Sequence, residues 1–129
     1  MFSFVLREVQ NGVLLSLPSV IERIPCHNVT HWRFCEITVS EGVPFGIPAP
    51  VFEEKSRISP DSVRVSTEEF NEFLRTDIQV SDGCIYGLAG ANAMSSLFCL
   101  TCIDSSQWEV TTEDESIAKE LQKRGWCPQ

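Results

Sequence analysis

Apolar and polar residues alternate in the first part of the chain in the way that half-buried β-strands require. Residues 2–6 place apolar side chains at every second position, and a second apolar run at 13–17 follows the dipeptide Asn11-Gly12. Two-residue hairpin turns favour this dipeptide because their central residues adopt positive φ. The pattern therefore predicts an N-terminal hairpin formed by residues 2–9 and 13–17.

Further segments are rich in β-branched and aromatic residues, which strands favour. Each is predicted to be a strand: 33–39, 63–65, 84–86 and 108–111. The near-continuous apolar run Leu97–Ile103 predicts a central strand that is buried on both faces and pairs with 108–111. Asp82-Gly83 predicts a turn just before residues 84–86.

One segment has the start signal and the apolar stripe of an amphipathic helix. Ser66 is the predicted N-cap, and Glu69 at the third helical position completes a capping box. Phe70, Phe73 and Leu74 then fall on one side of the helix. A helix is predicted here.

A second amphipathic helix is predicted near the end of the chain. Thr112 is its predicted N-cap, with Glu115 at the third position, and Gly125 lies where a C-terminal cap glycine belongs. Its inner stripe is Ile117, Ala118 and Leu121.

The remaining segments are less regular. Residues 20–24 predict one helical turn before Pro25, residues 42–50 with three prolines and two glycines predict an ordered loop, and residues 51–59 favour no single structure. Strands mixed with two clear helices, without regular βαβ alternation, predict an α+β fold. The expectation is a single compact domain over residues 1–129, with a mostly antiparallel sheet, an N-terminal hairpin and two amphipathic helices.

The charge of the chain changes which partners are expected. There are 18 acidic and 10 basic residues, a formal net charge of −8. Such a surface repels phosphate backbones and anionic lipids, so no nucleic-acid or membrane binding is predicted. The chain has no apolar run long enough to span a bilayer, and its N-terminus lacks the basic region of a signal peptide. We therefore expect a cytoplasmic protein.

Six cysteines and two histidines raise the question of metal or redox chemistry. In the cytoplasm, the cysteines are expected to be reduced thiols that pack as small apolar side chains. Cys26, His27, His31 and Cys35 are of the types that bind zinc, but adjacent Cys26 and His27 do not easily face one ion. Packed thiols and surface histidines are therefore the preferred interpretation.

A second cysteine pair has the spacing of a redox motif. Cys99 and Cys102 are separated by two residues within a predicted strand. Alternation would point their sulfur atoms to opposite faces, whereas reactive pairs of this spacing lie at a helix N-terminus. These two are predicted to be structural thiols.

The other motifs do not point to catalysis either. The small-residue segment 87–93 lacks the Lys-Ser/Thr of a P-loop and the third glycine of a dinucleotide fingerprint, so it is predicted to be a tight turn or a short helix. Gly-x-Ser-x-Gly is absent, and no protease-type signature surrounds a cysteine. Acidic pairs lie at predicted helix starts or in polar stretches, where they stay solvated. No catalytic residue, metal site or cofactor is predicted.

The acidic residues are concentrated in the second part of the chain. Residues 1–50 hold four acidic and three basic side chains, whereas residues 51–129 hold fourteen and seven. A one-sided negative field can steer a basic partner, although acidity also serves solubility alone. Tryptophans are frequent interface anchors, and Trp32 is a further candidate for this role. The predicted partner-binding residues are Glu68, Glu69, Glu72, Asp77, Glu113, Asp114, Glu115, Trp108 and Trp126.

Together these features predict a small, non-enzymatic protein that binds a basic protein partner and inhibits it. The partner would be a toxin or a nuclease whose active site becomes covered. The chain is small and acidic and has no catalytic motif, and in these respects it is similar to small inhibitors such as bacterial toxin-immunity proteins. This similarity involves no specific motif. Two alternatives stay open: a small zinc-binding or cysteine-dependent enzyme using the segment 26–35, and a structural subunit of a larger assembly. The identity of the partner and the oligomeric state are not predicted.

Overall fold

The computed structural model describes residues 1–6, 9–10, 13–58, 63–76, 78–104 and 107–129, without the side chains of residues 9, 10, 13, 14, 40 and 41. Within these ranges the chain forms nine strands: β1 (Phe2–Leu6), β2 (Val9–Gln10), β3 (Val13–Leu14), β4 (His31–Glu41), β5 (Arg64–Ser66), β6 (Gln79–Leu88), β7 (Phe98–Ile103), β8 (Gln107–Thr112) and β9 (Cys127–Pro128). The same ranges contain four α-helices: α1 (Leu17–Ile21), α2 (Ala49–Ile58), α3 (Thr67–Leu74) and α4 (Glu115–Lys123). A short 3₁₀ turn at Pro44–Gly46 precedes α2.

Seven of the described strands form one antiparallel sheet. Their order across the sheet is β5-β4-β6-β7-β8-β1-β9, and each neighbouring pair is antiparallel. β2 and β3 form a separate short ribbon. The predicted α+β fold with a mostly antiparallel sheet is confirmed.

The hydrophobic core lies between one face of this sheet and the helices. Alternate residues of β7 and β8 are buried, and they belong to the same cluster as apolar residues of α1, α2, α3 and α4. Within this core Trp32 stacks on Phe70, with ring centroids 4.0 Å apart. The opposite face of the sheet is only partly buried. This open face is formed by Ser3, Val5, Arg33, Cys35, Cys84, Tyr86, Cys99, Thr101, Glu109 and Thr111.

Strand β4 contains a bulge that keeps both of its halves turned toward the core. Phe34 is buried, and the next buried residue is Ile37, three positions later rather than two. Glu36, between them, has a φ of 53°, and the register with β6 shifts at this point. In a strictly alternating strand, Ile37 and Val39 would lie on the face opposite to Phe34. The one extra residue of the bulge brings their side chains back to the core face.

Helix α2 hydrogen-bonds the backbone of the bulged part of β4. The Ser56 hydroxyl oxygen accepts from the Ile37 N–H at 3.0 Å, and a carboxylate oxygen of Glu53 accepts from the Val39 N–H at 2.8 Å. The Ser56 hydroxyl in turn donates to the Glu53 carbonyl oxygen at 2.8 Å. Because a buried N–H without a partner is costly, these two side chains stabilise the bulge and hold α2 against β4. This is the segment for which the sequence favours no single structure.

The N-terminal strand pairs differently from the prediction. β1 pairs with β8 over five residues and with β9, whereas the hairpin partners β2 and β3 match for only two residues each. The ladder with β8 buries Phe4 and Leu6, which a free-standing hairpin would leave exposed. The predicted hairpin of residues 2–9 with 13–17 is therefore wrong for residues 2–6. Its turn, Asn11-Gly12, lies outside the described residues.

Two predictions for the central strands are also wrong. β7 is buried on one face only, since Leu100 is buried while Cys99 and Thr101 are partly exposed. The helices cover only one face of the sheet, so a continuous apolar run does not imply burial on both. Asp82 and Gly83 lie inside β6, opposite the bulge, rather than in a turn.

The two predicted amphipathic helices are present. At α3 the Ser66 hydroxyl accepts from the Glu69 N–H at 3.2 Å, and the Glu69 carboxylate accepts from the Ser66 N–H at 3.1 Å, so the predicted capping box is confirmed. At α4 the N-cap is Asp114 rather than Thr112. Thr112 is the last residue of β8, where its buried hydroxyl donates to the Leu97 carbonyl oxygen at 2.7 Å.

Candidate functional site

The acidic residues predicted on α3 lie on the side of the helix away from the core. Glu68, Glu69 and Glu72 are exposed, and the helix contains no basic residue. Glu72 lies 3.5 Å from Arg75, just beyond the helix, in a solvent-exposed pair of the kind that contributes little. Asp77 lies outside the described residues. α3 thus presents a compact group of carboxylates to solvent.

The acidic residues at the start of α4 are exposed too, but this helix is electrostatically balanced. Asp114 caps the helix, and its hydrogen bonds with the Ser116 hydroxyl and the Ile117 N–H lower the pKa of its carboxyl below the usual 3.8. Glu113 and Glu115 are exposed beside it. Exposed ion pairs along the helix oppose the negative charge: Glu115–Lys119, Glu120–Lys123 and Glu120–Arg124.

The two acidic groups do not form one cluster. α3 contacts β4 and β5, whereas α4 contacts β1 and β8, so β6 and β7 lie between them in the sheet. Neighbouring strands are about 4.8 Å apart, which separates the strands under the two helices by about 15 Å. The sequence predicts that the carboxylates of α3 and α4 act together. In the structure they form two separate acidic surfaces on the same side of the sheet.

All three tryptophans are buried. Trp32, Trp108 and Trp126 each expose 2% of their surface. The Trp108 indole N–H donates to the Leu15 carbonyl oxygen, and that of Trp126 donates to the Arg23 carbonyl oxygen, both at 2.9 Å. The prediction of exposed tryptophan anchors is wrong, because large apolar rings whose N–H reaches a backbone acceptor are favoured in the core. Trp108 and Trp126 hold the segment around α1 against the sheet.

The open face brings together polar residues from distant parts of the sequence. Opposed residues of antiparallel strands share a face, so the register defines two rows across the sheet. The first row, from β5 to β1, is Arg64, Arg33, Tyr86, Cys99, Thr111 and Ser3. The second row, from β4 to β9, is Cys35, Cys84, Thr101, Glu109, Val5 and Cys127.

Three thiols, Cys35, Cys84 and Cys99, meet where these rows adjoin, and we call them the thiol cluster. Cys35 is directly opposite Cys84, and Cys99 lies diagonally from Cys84 on β7. The Thr101 hydroxyl oxygen is 3.6 Å from the sulfur atoms of both Cys84 and Cys99. A hydrogen bond with Cys99 is the main cause that lowers the pKa of Cys84 to about 6, and the same bond, followed by burial, raises the pKa of Cys99. The surroundings therefore favour the thiolate of Cys84 and disfavour that of Cys99.

Next to the thiol cluster, the open face is basic. The Arg33 guanidinium lies over the Tyr86 ring, 4.3 Å from its centroid, and Arg64 is directly opposite Arg33 on β5. The Arg33 Nε is enclosed and has no hydrogen-bond partner among the described residues. Arg64 donates to the carbonyl oxygens of Ala91 and Ala93 at 2.6 and 3.4 Å. A cleft of about 470 Å³ borders both arginines, and chemically it suits an anion.

The alternative of a zinc-binding protein depends on Cys26, His27, His31 and Cys35, and the fold does not bring these four residues together. Cys26 packs against the core, and burial raises its pKa to about 12, whereas Cys35 lies on the open face. His27 is exposed, and His31 Nδ1 lies 3.0 Å from the Thr30 hydroxyl oxygen. Across the part of the chain that the structure describes, no group of three or more His, Cys, Asp or Glu side chains is placed to hold a metal ion.

The thiol cluster does not follow from the sequence, which predicts that most of the cysteines pack as small apolar side chains in the interior. Cys102 alone among the six is fully buried. The signal that places Cys99 outside is the alternation around it, since Phe98 and Leu100 on either side are buried. The alternation predicts that Cys99 lies on the open face, but it does not predict that Cys84 is its neighbour. The strand order and register that bring Cys84 beside Cys99 are set by long-range pairing.

Comparisons with protein-family models, with curated proteins and with solved structures found no match to this chain. In the described ranges, no helix has the length and apolar character needed to cross a membrane.

Proposed function

We propose that this protein is a small acidic binding protein that inhibits a basic protein partner, such as a toxin or a nuclease, by docking rather than by catalysis. The observation that carries the proposal is the acidity of α3, which has no basic residue of its own and whose exposed side holds Glu68, Glu69 and Glu72. The ion pair between Glu72 and Arg75, just beyond the helix, is solvent-exposed and contributes little. The whole chain has a formal net charge of −8. Carboxylates placed in this way attract lysine and arginine side chains and speed association at low salt.

The α3 surface is held in place before any partner arrives. Phe70 stacks on Trp32, and the Trp32 indole N–H donates to the Thr67 hydroxyl oxygen at 3.1 Å. The Thr67 hydroxyl donates in turn to the Val29 carbonyl oxygen at 3.0 Å. A surface that is already ordered loses less entropy on binding, so its carboxylates contribute more to affinity.

The proposed docking surface is narrower than the sequence predicts. Glu115 and Glu120 of α4 form ion pairs with basic residues of α4 and of its C-terminal end, so this helix is a weaker site for a basic partner. Trp108 and Trp126 are buried and cannot contact a partner. A partner that binds through α3 would meet carboxylates there without competing lysines or arginines from α3 itself. Nucleases hold phosphates with such basic side chains, so carboxylates in those positions would exclude the substrate.

The test is to capture the partner and then reverse the charge of α3. The full chain is cross-linked to its stoichiometric partner in cells of its source, and the affinity is measured at low and physiological salt. We expect Glu68→Lys with Glu72→Lys to weaken binding at least tenfold and to reduce its salt dependence. The matched control is Glu54→Lys on α2, an exposed carboxylate 3.7 Å from Arg57, which should leave both unchanged. A partner without a basic surface, or equal affinities for the two variants, would overturn the proposal.

The same preparation tests the other functions that the sequence leaves open. Stoichiometric zinc that is lost on Cys26→Ser would favour a metal-binding domain or enzyme. A native mass several times that of one chain, without a basic partner, would favour a structural subunit. A basic partner bound at α3, with no stoichiometric metal, supports inhibition by docking.

A further inference from the structure

The thiol cluster has an arrangement that core packing does not require. All six cysteines are free of disulfides, and Cys35, Cys84 and Cys99 are partly exposed on the open face. They come from three different strands, and one hydroxyl, that of Thr101, lies 3.6 Å from two of the sulfur atoms. α3 contributes to the core on the other face of the sheet, so the cluster is separate from the proposed docking surface.

We propose that Cys84 and Cys35 form a reversible dithiol–disulfide site that reacts with small-molecule disulfides, such as oxidised glutathione. Cys84 is the nucleophile, and Cys35 is the thiol that resolves the mixed disulfide. Cys99 is a positioning residue beside Cys84, because the sulfur atoms of both lie 3.6 Å from the Thr101 hydroxyl oxygen.

The register selects Cys35 and Cys84, rather than Cys99, as the pair that can form a disulfide. Directly opposed residues of antiparallel strands have Cα atoms about 4.5–5.5 Å apart, which is within the range of about 4.4–6.8 Å that a disulfide spans. Cys35 and Cys84 are such a pair, so a bond between them needs no movement of β4 relative to β6. Cys99 is a diagonal neighbour of Cys84, and diagonal neighbours are about 7–8 Å apart, which is too far for the same bond without backbone movement.

The surroundings of Cys84 favour its thiolate. The hydrogen bond with Cys99 is the largest influence on the Cys84 pKa, and those with Thr101 and Tyr86 act in the same direction. Burial and the nearby Glu36 carboxylate oppose them, and the resulting pKa is about 6. The pKa of Cys35 is raised, mainly by burial and by Cys84 and Glu36, while Arg33 lowers it. These influences make Cys84 the more acidic thiol of the pair and Cys35 the less acidic one.

The reaction is two thiol–disulfide exchanges in sequence. The Cys84 thiolate attacks one sulfur of the small disulfide, so a mixed disulfide forms and one small thiolate leaves. Cys35 then loses its proton to solvent and attacks the Cys84 sulfur, which releases the second small thiolate. The two cysteines are oxidised by two electrons, the small disulfide is reduced by two, and excess small thiol reverses both steps.

The test uses dithiobis(nitrobenzoate), an aromatic disulfide that releases a coloured thiolate at each step, on the full folded chain. We expect wild type to show a fast phase that releases two thiolates and leaves a product lighter by two hydrogen atoms, which peptide mapping assigns to Cys35 and Cys84. Oxidised glutathione should give the same product more slowly. Cys35→Ser should release one thiolate in the fast phase and keep the mixed disulfide on Cys84. Cys84→Ser should lose the fast phase, whereas the control Cys127→Ser, at an exposed cysteine at the sheet edge, should keep it.

The role of Cys99 is tested by the pH profile of the fast phase. The wild-type rate should level off above neutral pH. In Cys99→Ala it should keep rising into the alkaline range and be about tenfold lower at pH 6, and Cys99→Ser, which retains a hydroxyl donor, should restore most of the wild-type profile. Mapping of the wild-type product needs no variant to fold. If it finds Cys127 or Cys26 modified first, or a mixed disulfide on Cys84 that Cys35 never resolves, the proposal is wrong.

Discussion

Gly83 on β6 lies against the bulge of β4 so closely that a Cβ on it would come within 2.7 Å of the Ile37 Cα. The same atom would be 2.8 Å from the Glu36 carbonyl oxygen, and both neighbours are backbone atoms that cannot turn aside. Gly83 also has a φ of +122°, a conformation that other residues rarely adopt. The bulge therefore depends on a glycine across from it, and the core position of Ile37 depends on the bulge.

We expect Gly83→Ala to reduce the free energy of unfolding by about 3 kcal/mol, from backbone strain together with overpacking. Urea denaturation measures the change. The matched control is Gly90→Ala, where a Cβ meets no atom within 4 Å and a change within about 0.5 kcal/mol is expected. Equal effects of the two substitutions would show that the close approach of β6 to the bulge is not a constraint.

Ser56→Ala should destabilise the protein by about 2 kcal/mol, because it removes the partner of a buried backbone N–H. Ser56 is 1% exposed, and its hydroxyl is the acceptor for the Ile37 N–H. Ser96→Ala, at an exposed serine in the loop before β7, is the control and should have little effect. Both are measured by denaturant unfolding, and a Ser56→Ala variant as stable as the control would contradict the assigned role of α2.

The N-cap of α4 should make part of the stability depend on pH. Hydrogen bonds with the Ser116 hydroxyl and the Ile117 N–H hold the Asp114 pKa below 3.8 in the folded protein. A carboxyl whose pKa is lower in the folded state stabilises it above the unfolded pKa and loses this effect as pH falls through the folded one. Wild type should therefore unfold at higher urea than Asp114→Ala at neutral pH, with the difference shrinking below pH 4. A difference that stays constant down to pH 2 would show that ionisation of Asp114 has no part in the cap.

The tryptophan fluorescence of the native protein should be that of buried indoles. Trp32, Trp108 and Trp126 are each 2% exposed, so emission should be shifted to short wavelength and resist quenching by acrylamide. Unfolding in urea should shift emission to longer wavelength and raise the quenching constant several-fold. Strong quenching of the native protein would mean that at least one indole is available as an interface anchor after all.

The parts of the fold that depend on neighbouring residues were predictable. Helix α3 lies where the sequence predicts it. Its capping box, Ser66 with Glu69, and its apolar stripe both involve residues only a few positions apart. The strand around Leu100 is likewise marked by its apolar content. The sequence pattern predicts the N-cap of α4 two residues too early. Thr112 and Asp114 are both good N-cap residues, and only the end of β8 decides between them.

The candidate sites depended more on tertiary structure. Exposure of Glu68 and Glu72 follows from helical periodicity, because Phe70 and Phe73 mark the inner side of α3. The burial of Trp126 does not follow from sequence, since it requires the Arg23 carbonyl oxygen, which lies far away in the chain. The three-residue spacing between the apolar residues Phe34 and Ile37 is a weak sequence signal for the bulge in β4. The glycine that permits the bulge, Gly83, is on another strand, β6.

Composition, periodicity and capping act over a few residues, so the α+β class, the acidic character and the two amphipathic helices follow from the amino-acid sequence alone. Which face of the sheet the helices cover depends on the packing of the whole chain, and this packing buries the tryptophans and leaves Cys35, Cys84 and Cys99 on the open face. The tertiary structure also places Cys35 opposite Cys84 and Arg33 beside Tyr86. Strand order and register set these contacts, and both result from burying one face of a seven-stranded sheet as a whole, which no local pattern specifies.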